Sequence, residues 1–97
     1  MYSFQLFKSN KKYKKYEVIV FKDDKKIKTI HFGDSRYNDF IEYNKINSQL
    51  ANERKRLYLL RHKNDNYNNF LKASYWAKNI LWNYPTLEQS INSINLN

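Results

Sequence analysis

Two histidines are the side chains best suited to proton transfer or metal binding, and they lie far apart in the sequence. His31 and His62 have neither an H-x-H nor an H-E-x-x-H spacing, and the chain has no cysteine, so the usual zinc-ligand patterns are absent. The adjacent carboxylates Asp23 and Asp24 stand between lysines, in a segment typical of a solvated turn. We therefore expect no catalytic residue, no metal and no cofactor, and we predict that the protein is not an enzyme.

Glycine usage excludes the common phosphate-binding loops. Gly33 is the only glycine of the 97 residues, whereas the G-x-x-x-x-G-K-[ST] and G-x-G-x-x-G loops each need more than one. Gly33 instead follows a strand-like run, at a position where a positive φ or a tight exit is useful. Any phosphate contact must therefore come from side chains on the surface.

Positive charge is concentrated in the first third of the chain. The formal net charge is +9. Residues 1–28 hold nine lysines against three carboxylates, a net of +6, whereas residues 29–63 add +3 and residues 64–97 are balanced. A field this uneven attracts polyanions at long range and weakens with salt. The sequence therefore predicts a binding surface.

Lysines alternate with tyrosine in this basic third. We expect a hairpin to hold them on a single cationic edge of a sheet, formed by Lys11, Lys12, Tyr13, Lys14, Lys15, Lys25, Lys26 and Lys28. Lysine suits phosphates as a flexible point charge, and an exposed tyrosine suits base stacking. Two other interpretations stay open: lysines at edges and hairpin tips prevent aggregation, and the same surface suits an acidic protein partner.

A second basic cluster falls on a predicted helix and consists of Arg54, Lys55, Arg56, Arg61 and Lys63. Arg54 and Arg61 share a helix face because they are seven residues apart. Arginine forks bind phosphates or form ion pairs, and Glu42 and Glu53 are available for such pairs. His62, within this cluster, is expected to bond a carbonyl at the helix end or to contact phosphate.

Alternating apolar residues predict the strands that present the first cluster. The alternation covers residues 2–7, 16–21 and 27–32, with polar turns at residues 9–12 and 23–26. The second and third runs are expected to pair as an antiparallel hairpin. Because a two-stranded hairpin alone is marginal, the first run is expected to add a third strand or helices to cover one face.

Helical spacing begins after Gly33. Asp34 or Ser35 is expected to cap a short helix, whose inward face is formed by Tyr37, Phe40 and Ile41. A polar pair at residues 47–48 then caps a helix over about residues 49–62. Its inward face is expected to hold Leu50, Leu57 and Leu60, with Tyr58 as a further candidate.

The last third predicts two more helices after a polar linker at residues 64–69. Residues 70–82 have a wide apolar stripe, and Pro85 ends that helix. Thr86 and Gln89 match a capping box for a final helix. The expected fold is a single α+β domain over residues 1–97, with an N-terminal two- to three-stranded antiparallel sheet followed by three to four α-helices.

Four short segments, taken together and in order, resemble a known family. They are H-F-G-D at residues 31–34, Tyr58 with R-H-K at 61–63, Trp76 with L-W-N at 81–83, and P-T-L at 85–87 with S-I at 90–91. This order is similar to small basic uncharacterised proteins of large nucleocytoplasmic DNA viruses, the mimivirus-like and algal-virus groups. The resemblance spans about residues 13–94. It implies viral origin, a small α+β module, and a location in the virion or in the host cytoplasm at the viral factory, but no activity.

We therefore predict a non-enzymatic viral nucleic-acid-binding protein that contacts the phosphate backbone without sequence specificity, with DNA favoured over RNA. The alternative is a minor structural protein of the virion, a cement or adaptor that binds acidic surfaces of capsid or core proteins. A third interpretation is strand addition of a protein partner to the edge at residues 2–7. No membrane segment is expected, and a homo-oligomer stays open.

Overall fold

The chain begins with a three-stranded antiparallel sheet in the computed structural model, which describes all 97 residues. The strands are β1 (Tyr2–Lys8), β2 (Lys14–Lys22) and β3 (Lys25–Asp34), in the spatial order β1-β2-β3. Residue Lys8 pairs with Tyr16 at one end of the sheet, and Lys22 pairs with Lys25 at the other. The predicted strands are confirmed, including the third one.

Two turns of different construction connect the strands. The first turn, residues 9–13, ends in Tyr13, which has a φ of 66°. The second turn is the pair Asp23 and Asp24, with φ of 48° and 68°, as suits a two-residue hairpin loop. Because β2 runs from one turn to the other, they lie at opposite ends of the sheet, on the order of 25 Å apart at a strand rise of ~3.3 Å per residue.

Four helices follow the sheet, so the α+β fold is confirmed. They are α1 (Phe40–Ile46), α2 (Ser48–Arg61), α3 (Ala73–Trp76) and α4 (Leu87–Ser93), and α3 continues directly into a π-helical segment (Ala77–Leu81). The helix predicted over residues 70–82 is therefore shorter than expected and partly π-helical. None of the helices combines the length and the apolar character that a bilayer crossing requires.

The start of α1 differs from the sequence prediction. The N-cap is Asp39, whose carboxylate accepts a hydrogen bond from the Glu42 amide at 3.1 Å. The Asp39 amide donates in return to the Glu42 side chain at 3.3 Å, which completes a capping box. The expected caps Asp34 and Ser35 are wrong because this reciprocal pair lies further along the chain. Tyr37 consequently precedes the helix and is 68% exposed.

The predicted cap of α2 is confirmed, but its buried face is not. The Asn47 side-chain oxygen accepts hydrogen bonds from the backbone amides of Gln49 and Leu50, at 2.8 and 3.1 Å. The buried residue of α2 is Ala51, whereas Leu50 and Leu60 are 37% and 57% exposed. Small Ala51 allows close packing, and α2 contacts α1 rather than the sheet. A broad leucine stripe is therefore not needed.

The hydrophobic core lies between one face of the sheet and the α3–π-helical segment. It is formed by Val18, Val20, Ile30, Phe32, Trp76, Ile80 and Leu81. Gly33, with a φ of +79°, allows the closest approach: a Cβ at this position would lie 2.6 Å from Leu81 Cδ1. The π-helical segment can therefore close against the end of β3, next to the first turn.

Candidate functional site

The first turn is fixed by hydrogen bonds to β3 and to the segment after it. Ser9 Oγ accepts from the Lys11 amide at 3.0 Å and lies 2.7 Å from His31 Nδ1. The Tyr13 carbonyl accepts from the Ser35 amide at 3.1 Å. The backbone that carries the lysines of this turn is therefore held in one place relative to β3.

Exposed rings and cations alternate beside this turn. The Arg36 guanidinium lies 4.4 Å from the Tyr13 ring centre and 5.9 Å from that of Tyr37. The Lys12 ammonium lies 4.9 Å from the Tyr13 ring on the same turn. Arg36 is held by two bonds to the Asp34 carboxylate, at 3.0 and 2.8 Å, and these bonds lower the pKa of Asp34 to about 2. The cluster is thus a cation–π surface open to solvent.

A cleft of about 370 Å³ lies between this end of the sheet and the C-terminal end of α2. The sheet contributes Lys14 to its lining, and α2 contributes Tyr58 and Arg61. The π-helical segment supplies the apolar part, including Leu81. Cationic side chains from two different elements therefore face one concave, partly apolar space.

Three neighbouring rings, two of them stacked, form one wall of the cleft. Trp82 and Tyr58 are parallel within 5°, with ring centres 4.5 Å apart. The His62 ring at the helix end lies 4.5 Å from Tyr58 and is tilted by 35° to it. His62 Nδ1 is 2.9 Å from the Asp65 carboxylate, and the His62 carbonyl accepts from the Tyr67 hydroxyl at 2.7 Å. Burial raises the pKa of Tyr58. The three rings therefore lie in the order Trp82, Tyr58, His62, with His62 at the end of the row.

The second predicted cluster divides into two parts. Arg54 and Arg61 line one groove beside the cleft, as their shared helix face predicts. Arg56 instead donates to Glu53 at 3.1 and 2.6 Å. Of the arginines proposed from the sequence, the structure thus places Arg61 in the cleft, Arg54 beside it, and Arg56 in an ion pair on α2.

The expected role of Lys15 as an open phosphate contact is corrected. Its ammonium bonds to Asp39 at 2.7 Å and to Glu42, and its side chain is only 13% exposed. Burial alone would lower the pKa of Lys15, but the hydrogen bonds to the two carboxylates outweigh it and raise the pKa. Burial raises the pKa of Asp39. Lys15 therefore anchors β2 to α1, because a buried carboxylate there needs a cation.

The expected single cationic edge is also wrong. Lys11, Lys12 and Lys14 lie at the first turn, whereas Lys25 and Lys26 lie at the second turn, at the opposite end of β2. Lys28 is on β3, and its ammonium donates to the Leu71 carbonyl at 2.7 Å. The meander separates these groups because each turn reverses the direction of the chain.

Sequence reasoning missed the part played by Arg36 and the position of Trp82. An Asp at i and an Arg at i+2 around a strand end signal a local pair, and that pattern places Arg36 near the turn. Trp82 stacks on Tyr58 of α2. No sequence spacing indicates that contact, since the two residues belong to separate elements.

No three His, Asp or Glu side chains are grouped closely enough to hold a metal ion. Residues 4–46, less than half of the chain, match a family of unknown function, DUF5754. The matched part includes most of the sheet, the first turn and α1, but not α2 or the stacked rings. No curated protein and no solved structure matches the chain.

Proposed function

We propose that this protein is a non-enzymatic viral protein that binds nucleic acid at the first turn and the adjoining cleft, through phosphates and without reading base sequence. The observation that carries the proposal is the convergence of cations from separate elements on one exposed, aromatic surface. These cations are Lys11, Lys12, Lys14, Arg36 and Arg61. Of this set, Arg36 alone takes part in an ion pair.

Two carboxylates near this surface are already ion-paired, one with a cation of the proposed set and one with a cation outside it. Asp34 is bound by Arg36, and Asp39 is bound by Lys15. The positive charge of Lys11, Lys12 and Lys14 is therefore available to a polyanion. Counterion release at such contacts makes phosphate affinity strongly dependent on salt.

The exposed rings favour a nucleic acid over an acidic protein surface. Tyr13 and Tyr37 are 45% and 68% exposed beside Arg36, and aromatic rings next to cations are the usual platform for bases of any sequence. DNA is the favoured polymer because the chain resembles proteins of large DNA viruses. The virion or the viral factory is the corresponding location.

A pair of matched triple variants tests the proposal. In the first, Lys11, Lys12 and Lys14 are changed to Gln; in the second, Lys22, Lys25 and Lys26 are changed to Gln, which removes the same charge from the second turn. The first variant is expected to lower the affinity for a single-stranded DNA by about a hundredfold at low salt, and to reduce the slope of log K against log salt by about 2.

The second variant is expected to change affinity by less than about threefold, because its lysines act only through the long-range field. The wild-type protein is expected to have a slope of about −3.5 on single strands if five phosphates are neutralised. Equal losses in the two variants, or an affinity that does not depend on salt, would contradict the proposal.

A structural role in the virion is the second candidate. The face of the sheet opposite the core leaves Phe7 and Ile27 47% and 44% exposed, and exposed apolar groups of this kind suit a protein contact. Nuclease treatment of the purified protein distinguishes the candidates. Loss of co-purifying material that absorbs at 260 nm supports nucleic-acid binding. A nuclease-resistant protein partner, lost on changing Phe7 and Ile27 to Ser, supports the structural role.

A further inference from the structure

We infer that the cleft holds one nucleotide of a single strand, with its base stacked on the outer face of His62, so that unpaired nucleic acid is preferred over duplex. This inference rests on the proposed function and names the form of nucleic acid that the same site selects. The first reason is a row of rings in which Trp82 stacks on Tyr58 and His62 lies 4.5 Å from Tyr58, tilted by 35°. His62 has a ring neighbour on only one side. A base stacked on its other side would extend the row.

His62 is held in position before any ligand arrives. Asp65 binds its Nδ1 atom at 2.9 Å, Tyr58 packs on one ring face, and Tyr67 binds its backbone carbonyl at 2.7 Å. The side chain is nevertheless 36% exposed and lines the cleft. An aromatic surface that is already ordered loses little side-chain entropy on binding. His62 is therefore suited to stacking rather than to filling the core.

Two cations at the cleft are placed for the phosphates on either side of such a base, and the carboxylates that also line it, Asp34 and Asp39, are ion-paired within the protein. Arg61 is the neighbour of His62 on α2, and Lys14 faces it from the end of β2. Neither side chain is in an ion pair within the protein. A strand with its base at His62 can therefore place consecutive phosphates near Arg61 and near the first turn.

The size and wall of the cleft fit one nucleotide. Its volume of about 370 Å³ lies at the small end of the range for ligand pockets. Ala77 and Leu81 of the π-helical segment form its apolar wall, and π-helical turns are frequent at binding sites. A paired base is stacked inside its duplex and cannot reach His62 unless it leaves the stack. Selection of single strands follows from this geometry.

Three fluorescent probes of equal length separate stacking from phosphate contact. They are a single-stranded oligothymidine, an abasic strand with the same phosphates, and a duplex containing the oligothymidine. The oligothymidine is expected to bind about tenfold more tightly than the abasic strand, the gain expected from one base stacked on an aromatic side chain. Equal binding of the two would overturn the inference and leave the phosphate contacts of the proposed function intact. Failure of all three to bind in a salt-dependent manner would overturn both.

Two changes at one position test the role of the ring. His62→Ala is expected to remove most of the tenfold preference and to leave the affinity for the abasic strand within about twofold. His62→Phe keeps an aromatic face and is expected to retain the preference. Near-ultraviolet circular dichroism of the Tyr58–Trp82 stack verifies that both variants are folded. Retention of the preference in His62→Ala, or equal losses in both variants, would overturn the inference.

Discussion

The two turns of the sheet have similar lysine content but differ in what surrounds them. The first turn has Lys11, Lys12 and Lys14 with no carboxylate among residues 9–13, and its backbone is bonded to Ser9 and Ser35. The second turn has Lys22, Lys25 and Lys26 around Asp23 and Asp24. Asp23 binds the N-terminal ammonium, and Lys22 stands directly opposite Lys25.

Lysine content alone therefore does not identify a binding surface. At the second turn the carboxylates offset much of the charge, and the cation–π contact is a single one between Lys22 and Tyr2. At the first turn, Arg36 lies over two exposed rings and a cleft adds Arg61 from α2. The first turn is therefore the candidate site, because side chains from the sheet and from α2 meet there.

Replacing Lys15 is expected to have the largest effect on stability, because Lys15 links the first-turn end of β2 to α1. Lys15→Met leaves the Asp39 carboxylate, whose side chain is 6% exposed, without its cation. We expect a loss of about 3 kcal/mol in the free energy of unfolding, measured by urea denaturation at neutral pH. Lys26→Met, at the exposed second turn, is the matched control and is expected to stay within about 0.5 kcal/mol.

Alkaline pH provides an independent measure of the same link. The pKa of Lys15 is raised above its ordinary value of 10.5, so its stabilising effect is fully present below pH 10.5 and is lost as the pH rises through the folded-state pKa. The difference in stability between the wild type and Lys15→Met should therefore shrink above that pH. A difference that is constant to strongly alkaline pH would contradict the ion pair.

Substitution of Gly33 tests the close contact between the end of β3 and the π-helical segment. Gly33→Ala adds a Cβ 2.6 Å from Leu81 at a φ of +79°, and a positive φ alone costs an alanine about 1–2 kcal/mol. We expect a total loss of about 2 kcal/mol in the free energy of unfolding, measured by thermal denaturation. An unchanged melting temperature would show that the π-helical segment does not need this close approach.

A glycine introduced at the second turn is expected to raise the free energy of unfolding, whereas loss of Gly33 lowers it. Asp24 has a φ of 68°, a conformation that glycine adopts without steric cost. Asp24→Gly is therefore expected to stabilise the protein by about 0.5 kcal/mol in the same thermal measurement. A destabilisation by Asp24→Gly would contradict the expected relief of steric cost at this turn.

Local patterns in the sequence predicted the elements well, and the site less well. The alternation of Val18 and Val20 predicted β2 and its buried face, and Asn47 predicted the start of α2. The predicted grouping of the lysines on one edge was wrong, because the two turns that carry them lie at opposite ends of β2. The stack of Tyr58 on Trp82 could not be predicted either, since it joins residues of separate elements through tertiary packing.

The burial of Lys15 shows the same limit for charge. In the sequence Lys15 is indistinguishable from its neighbour Lys14, yet one is bonded to two carboxylates and the other is exposed at the cleft. The side chains of neighbouring strand residues point to opposite faces of the sheet. The carboxylates that bind Lys15 belong to the N-cap and first turn of α1. A capping box at Asp39 and Glu42 was the available signal, because it fixes two carboxylates in one place.

The most direct measurement is a titration of the isotopically labelled protein with single-stranded DNA, followed by backbone amide chemical shifts in NMR. The predicted result is a set of shifts at residues 11–14, 36–38 and 58–62 that disappears at high salt, with little change at residues 22–26. Shifts of equal size at both turns, or shifts confined to residues 22–26, would contradict the account.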